Sequence, residues 1–164
     1  MRNIASIQQK IFTREGLVHF LSASRVTGKT VAFSNGCFDI LHLGHVEYLN
    51  EAKAQGDVLI VAINSDASVR ELKGPDRPVN NEHDRCEMLL NLKSVDAVQV
   101  FTEQTPLEII KLIRPDVLVK GGDWKPEQIV GSDFVLSNGG EVKSLMFKKG
   151  YSTSNLIKAV QGKK

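Results

Sequence analysis

Two cysteines, Cys37 and Cys86, are all that the 164 residues contain. They form no Cys-x-x-Cys pair, so a disulfide framework is excluded and both are expected as reduced thiols of a cytoplasmic protein. An excess of one charge is also lacking: 21 Lys and Arg against 19 Asp and Glu leave a net +2. That is too little for a global field toward nucleic acid or a membrane surface. No apolar run approaches the ~20 residues of a membrane-spanning helix. Met1 to Lys10 is polar, lacks the apolar centre of a secretory signal, and is expected to be loose. Gly-x-Gly-x-x-Gly and Gly-x-x-x-x-Gly-Lys-Ser/Thr are both absent, which argues against a dinucleotide dehydrogenase and a P-loop ATPase. No order of Ser, His and Asp supports a hydrolase triad, and there is no internal repeat or low-complexity stretch.

What is present is material for a core. Hydrophobic residues make up 41% of the chain, and the length suits one domain, expected over 1–164. Short apolar runs read as strands at Thr30 to Ser34, Val58 to Ile63, Ala97 to Phe101, Val117 to Val119 and Glu141 to Phe147. Helices are expected between them: one capped by Thr13, one after His45, a short one over Ala67 to Leu72, and one capped by Asn81 that carries Arg85, Met88, Leu89 and Leu92. Others start at Thr105-Pro106, at Pro126 and at Leu156. Strands alternating with helices imply an α/β fold, a Rossmann-like three-layer αβα sandwich around about five parallel strands. Ligands of such sheets bind beyond the C-terminal strand ends, where strand order reverses.

Polar and basic groups gather at that edge. After the first strand, Asn35-Gly36 reads as a tight turn, and Cys37, Phe38, Asp39, His42, Gly44 and His45 follow. His42 and His45 stand three apart at a helix start, so both imidazoles can face one spot beside free N–H groups that favour an anion. Two donors aimed at a polyphosphate would stabilise a departing pyrophosphate; the bland alternative is a pair of surface or capping histidines. Zinc would need further ligands, and His19, His83, Cys37 and Cys86 lack the spacing, so no protein-held metal is expected.

After the second strand come Asn64 and Asp66, then a loop with Lys73 and Arg77, and then Arg85. These are expected to meet phosphates, Lys73 as the cation that follows the migrating group; ordinary surface charge is the alternative. Lys120, Gly121, Asp123 and Trp124 after the fourth strand read as a nucleotide pocket, with Trp124 as core or pocket wall. Tyr151, Ser152, Thr153 and Ser154, preceded by Lys148 and Lys149, read as a second phosphate cradle or as plain capping.

These residues match a known pattern. His42-Leu43-Gly44-His45 resembles the His-x-Gly-His signature of the cytidylyltransferase-like nucleotidyltransferases, and Tyr151-Ser152-Thr153-Ser154 resembles their C-terminal Ser/Thr-rich phosphate motif. Asn35-Gly36-Cys37-Phe38-Asp39, Asn64-Ser65-Asp66, Leu72-Lys73-Gly74-Pro75, Arg77-Pro78-Val79 and Pro115 to Asp123 are similar to one subgroup. That subgroup is the D-glycero-β-D-manno-heptose 1-phosphate adenylyltransferases of bacterial lipopolysaccharide precursor synthesis. Ser154 stands where the family usually has Thr, and Lys148 and Lys149 where it more often has apolar or acidic residues.

The resemblance implies transfer of AMP from ATP to the sugar 1-phosphate, giving ADP-heptose and pyrophosphate. Mg²⁺ would accompany ATP, and Asp39 would help to place it indirectly. The resemblance also implies a homodimer or larger assembly. Many relatives are fused behind a sugar kinase; this chain has no room for one, so it is expected to act after a separate heptose kinase. A cytidylyltransferase of glycerol 3-phosphate or a related phospho-alcohol, a non-catalytic nucleotide-binding module, and a fragment related to class I aminoacyl-tRNA synthetases are the other readings.

Overall fold

The computed structural model describes residues 11–122, 124–146, 150–160 and 162. Their order is α1 (Arg14–Val26), β1 (Val31–Gly36), α2 (Leu43–Lys53), β2 (Val58–Asn64), α3 (Asp66–Lys73), α4 (Glu82–Leu90) and β3 (Ala97–Phe101). Then come α5 (Leu107–Ile113), β4 (Val117–Gly121), a 3₁₀ turn (Pro126–Gln128), α6 (Ser132–Ser137), β5 (Glu141–Leu145) and α7 (Thr153–Val160). Residues 1–10, with the expected loose start, lie outside the described residues.

All five strands are parallel, in the order β3-β2-β1-β4-β5. The chain winds outward from β1 to β3 and then returns to the other side of β1. The reversal therefore falls between β1 and β4, which pair through Ala32, Phe33 and Ser34 against Val117, Leu118 and Val119. The expected α/β sandwich is thus borne out.

Alternation along the strands builds two core layers. Val31, Phe33, Val58, Ile60, Ala97 and Leu118 meet Leu17 and Leu21 of α1 and Ile109, Ile110 and Ile113 of α5. Ala32, Leu59, Val61, Ile63, Val98 and Val119 meet Tyr48, Leu49 and Ala52 of α2 and Cys86, Leu89 and Leu90 of α4. Helices on both faces explain why β2 is buried at every position and reads as one apolar run. Burying one such side chain is worth about 1.5–3 kcal/mol, whereas an exposed pair such as Lys111–Glu108 contributes at most about 1 kcal/mol. The two apolar layers, not surface charge, set the strand register.

Several boundaries differ from the sequence reading in ways that matter for the site. β1 runs on through Asn35 and Gly36, so these residues pair with β2 instead of turning. The bend comes later, at Phe38, whose φ is 46°. β4 likewise runs on through Lys120 and Gly121. Lys73 closes α3, which Ser65 caps, and the chain leaves the helix only at Gly74, with φ 97°. The single helix expected after Pro126 is two short elements separated by Gly131 (φ 88°). A Cβ on Gly131 would lie 2.7 Å from Cδ1 of Ile110.

Candidate active site

A cavity of about 280 Å³ opens over the C-terminal ends of β1 and β4, at the reversal of strand order. Asn35, Gly36, Lys120 and Gly121 form its floor. Cys37, Phe38 and Asp39 come from the bend after β1, and His45 and Tyr48 from α2. Lys73, Arg77, Trp124 and Thr153 close the sides. A second cavity of about 220 Å³ adjoins it, sharing Asn35, Lys120 and Trp124 and adding Pro106, Gln128, Ile129 and Val130. Trp124 is therefore a pocket wall, 46% exposed, held by a bond from its Nε1 to the Gly121 carbonyl at 3.1 Å.

The two histidines have different places. His42 is the N-cap of α2, its Nδ1 accepting the His45 backbone N–H at 3.3 Å. In its neutral form the ring proton therefore sits on Nε2. The His45 ring stacks on it, centroids 3.7 Å apart and planes 13° from parallel, and His45, not His42, lines the cavity. Gly44 makes this packing possible, since a Cβ there would lie 3.2 Å from the His42 ring and 3.0 Å from Cβ of Tyr151.

His45 Nδ1 is buried and has no hydrogen-bond partner among the described residues. Burial first, then His42 and Lys73, push its pKa from the ordinary 6.5 down to about 4, with a bond to the Ile40 carbonyl opposing. Burial also lowers His42. Both rings are therefore neutral near pH 7, each with a single ring N–H.

This depression makes stability depend on pH. Between about 4 and 6.5 the unfolded chain binds a proton at His45 that the fold does not. The contribution is therefore complete above pH 6.5 and is lost as pH falls through about 4. At ~1.4 kcal/mol per pKa unit its upper bound is about 3 kcal/mol, and solvent screening makes it smaller. In urea unfolding measured from pH 7 to pH 4, His45→Gln is expected to flatten this acid limb.

Among the described residues, three cations line the cavity. Lys73 stands at the C-terminal end of α3. Lys120 reaches Oδ1 of Asn35 at 3.5 Å, and burial holds its ammonium below the ordinary value, with Cys37 opposing. Arg77 is 13% exposed and donates from Nε to Oδ2 of Asp39 at 2.5 Å. Its Nη2 is buried without a partner among the described residues. An unpaired buried donor costs roughly 1–3 kcal/mol, which an anionic ligand would relieve.

Four expected roles need correction. Arg85 is not a phosphate ligand: it is 0% exposed, and its donors go to the carbonyls of Cys37 (2.6 Å), Asn64 (2.9 Å) and Asn80 (3.1 Å) and to Oδ1 of Asp66 (2.7 Å). Asp66 is thereby committed to Arg85. The Asn64 side chain is spent on Ser68 and Cys37, and neither Asn64 nor Asp66 lines the cavity.

Asp39, expected to help place Mg²⁺, spends both oxygens on the Arg77 loop, through Nε of Arg77 and the N–H groups of Val79 and Asn80. Burial pushes this carboxyl up, but the Asn80 N–H, Arg77 and the Val79 N–H more than reverse it, and the pKa lies below its ordinary value. Among the described residues no group of three His, Cys, Asp or Glu side chains stands together. The donors at the cavity are mostly cationic or neutral, a set that does not fit a divalent cation held by protein ligands.

At the start of α7, Thr153 lines the cavity, and its Oγ1 donates to the Ile40 carbonyl at 3.4 Å. The Tyr151 ring lies 6.1 Å from that of His42, and the Ser152 carbonyl accepts the Leu156 N–H at 3.1 Å. Asp123, Lys148, Lys149 and the side chain of Ser154 lie outside the described residues. Tyr48 was missed. Its hydroxyl bonds Oγ of Ser34 at 2.6 Å and the Val119 carbonyl at 3.2 Å, and burial pushes its pKa up to about 12. It supports the floor and stays protonated near neutral pH. Its position three residues after His45 was the available signal.

A family model described as cytidylyltransferase-like matches residues 33–158, which take in every residue lining the two cavities. The chain belongs to the cytidylyltransferase-like family. It is similar to bifunctional protein HldE of Syntrophotalea carbinolica, 52% identical over 92% of this chain and 31% of the relative. HldE of Photobacterium profundum is 56% identical over 88% of this chain and 30% of the relative. The chain thus spans about a third of the curated relatives that it matches.

Among solved structures, a lipopolysaccharide core biosynthesis protein from Thermoplasma volcanium matches with a TM-score of 0.60 and 30% identity, over 76% of this chain and all of the other. Pantoate-beta-alanine ligase from Francisella tularensis, complexed with an ATP ligand and beta-alanine, shares the fold, with a TM-score of 0.58 at 13% identity, over 91% of this chain and 75% of the ligase. Membership in the cytidylyltransferase-like family bears out the expected nucleotide substrate. No described helix is long and apolar enough to cross a membrane.

Proposed function

We propose that this member of the cytidylyltransferase-like family transfers AMP from ATP to D-glycero-β-D-manno-heptose 1-phosphate, releasing pyrophosphate and ADP-heptose. The observation that carries the reading is the meeting of His45, Lys73, Arg77 and Lys120 around one cavity at the β1/β4 reversal. Support for the acceptor comes from the names of the relatives: HldE at about half identity, and a lipopolysaccharide core biosynthesis protein among the structures.

The chemistry asks little covalent work of the protein. A phosphate oxygen of the sugar phosphate attacks the α-phosphorus, the bond from that phosphorus to the bridging oxygen breaks, and pyrophosphate leaves with the electron pair. The attacker is already an anion, so no protein nucleophile is needed. Positioning and charge stabilisation supply the rate. His45, with the N–H groups at the start of α2 and Thr153, takes the β- and γ-phosphates and the charge that grows on the leaving group. Lys73 bridges donor and acceptor phosphates, and Gly121 and Trp124 face the nucleoside. In-line displacement places the acceptor opposite the leaving group. We assign the sugar to the adjoining cavity, which shares Asn35, Lys120 and Trp124 with the first.

Pyrophosphate release tests this directly. ATP with heptose 1-phosphate is expected to give release, while ATP or CTP with glycerol 3-phosphate gives none. Release only with CTP and glycerol 3-phosphate would keep the mechanism and remove the sugar. No release with any pair, with ATP still bound, would make this a nucleotide-binding module.

A further inference from the structure

Among the described residues, Arg77 is the cavity cation whose orientation is built by a chain of buried polar groups, and that chain runs through a residue with no place in the site so far. Asp39, 2% exposed, holds Nε of Arg77 with Oδ2 at 2.5 Å. Its other oxygen accepts the N–H groups of Val79 at 2.8 Å and Asn80 at 3.0 Å. Asn80 answers with its side chain, whose Nδ2 donates to the Asp39 carbonyl at 2.6 Å. The Asn80 carbonyl in turn accepts Nε of the fully buried Arg85 at 3.1 Å, and Arg85 is itself pinned to the Cys37 and Asn64 carbonyls at the ends of β1 and β2.

Asn80 thus spends its N–H, its carbonyl and its amide on the two buried charges, Asp39 and Arg85, that join the 74–81 loop to the sheet. What this fixes is the far side of Arg77. With Nε taken by Asp39, the fork can swing little, and Arg77 stays in the cavity wall with its Nη2 buried and without a partner among the described residues. A guanidinium held at one edge, with a donor still unpaired, is pre-organised for an anion, because its side-chain entropy is lost before the ligand arrives.

We propose that Asn80 is a positioning residue for the transfer reaction, acting through Asp39 to hold Arg77 toward a phosphate of the substrates. The proposal rests on the nucleotidyl-transfer reading above. Asn80 touches no substrate. Its side-chain amide holds the main chain of Asp39, whose carboxylate holds the guanidinium, and a displacement of that group by about 1 Å is enough to cost up to ~100-fold in rate.

The test is a double-mutant cycle on intact protein. Asn80→Ala removes only the amide bond to the Asp39 carbonyl and keeps both main-chain bonds. Asp39→Asn keeps the shape and removes the charge against Nε of Arg77. Each is combined with Arg77→Ala, and kcat/KM for the acceptor is read by single-turnover pyrophosphate release with enzyme in excess. Calorimetry gives the ATP affinity alongside. Asn80→Ala is expected to lower kcat/KM about 10-fold in the parent, with ATP affinity within about threefold, and to have no further effect once Arg77 is alanine.

The same further loss in the Arg77→Ala background would mean that Asn80 acts by some other route and would overturn the proposal; so would unchanged kinetics in Asn80→Ala. Should Arg77→Ala leave no measurable turnover, the Arg77 Nε–H signal in NMR decides. It must lose protection from solvent exchange in Asn80→Ala, and a protected signal overturns the proposal. Failure of the parent protein to release pyrophosphate sinks the functional reading instead, and the NMR result would then still report on the Arg77 clamp alone.

Discussion

Replacing His45 with alanine is expected to lower turnover by about 10²–10³-fold while changing ATP affinity far less. The magnitude is that of removing one pre-organised donor from a developing oxyanion, ~3–4 kcal/mol. The separation of rate from binding follows from the ring's place. His45 lines the cavity, and its Nδ1 has no partner among the described residues, so a ring proton carried on Nδ1 would bond the ligand more strongly as the leaving pyrophosphate gains charge. Rapid-quench turnover and calorimetric ATP binding on the same preparation check this; near-normal turnover would remove His45 from the mechanism. His42 gives the contrast. Its Nδ1 caps α2, so His42→Ala combines loss of a cap, about 1 kcal/mol, with loss of the stacked neighbour. His42→Asn restores a capping acceptor and isolates the effect of the ring.

Arg85→Ala is expected to destabilise the fold by about 3–5 kcal/mol, the range for leaving a buried ionic partner uncompensated. A domain of this kind has roughly 5–15 kcal/mol in all, so the variant sits near the edge of folding at room temperature. The reason is the fourfold use of one guanidinium: the carbonyls of Cys37, Asn64 and Asn80 and the Asp66 carboxylate all lose their donor together. Urea unfolding measures the loss. Arg85→Lys should recover little, because a single ammonium cannot span the planar fork that meets these four acceptors. A loss below about 1 kcal/mol in Arg85→Ala would show that water satisfies these groups and that the clamp is weak.

Arg85 also shows where sequence reasoning stops. Its spacing to Leu89 and Leu92 put it on the apolar stripe of its helix, and an arginine on such a stripe is a signal for a buried clamp; read as a loose cation near an active edge, it was assigned to phosphate. Ala97–Phe101 was legible to the residue, because alternation and flanking polar residues agreed. The edge of the sheet was legible too, since each strand ended in polar residues.

The extra strand residues Asn35, Gly36, Lys120 and Gly121 were not legible as strand. Local turn chemistry argued one way, and pairing with neighbours 27 or more residues distant argued the other. Asn80 had no signal at all, since its value comes from Asp39 and Arg85, which the fold and not the local sequence brings to it.

The insertion of β4 beside β1 has a consequence during synthesis. β1 is made first of the five strands, yet one of its edges waits for Val117–Gly121, the fourth. As the chain leaves the ribosome, the half ending at β3 can form β1, β2 and their helices while the open side of β1 still presents unpaired peptide groups. The same late strand brings Lys120 and Gly121 to the cavity floor. A nascent chain therefore covers this edge of β1 and gains two cavity-floor residues in one event, whereas Trp124 and Thr153 reach the cavity only later.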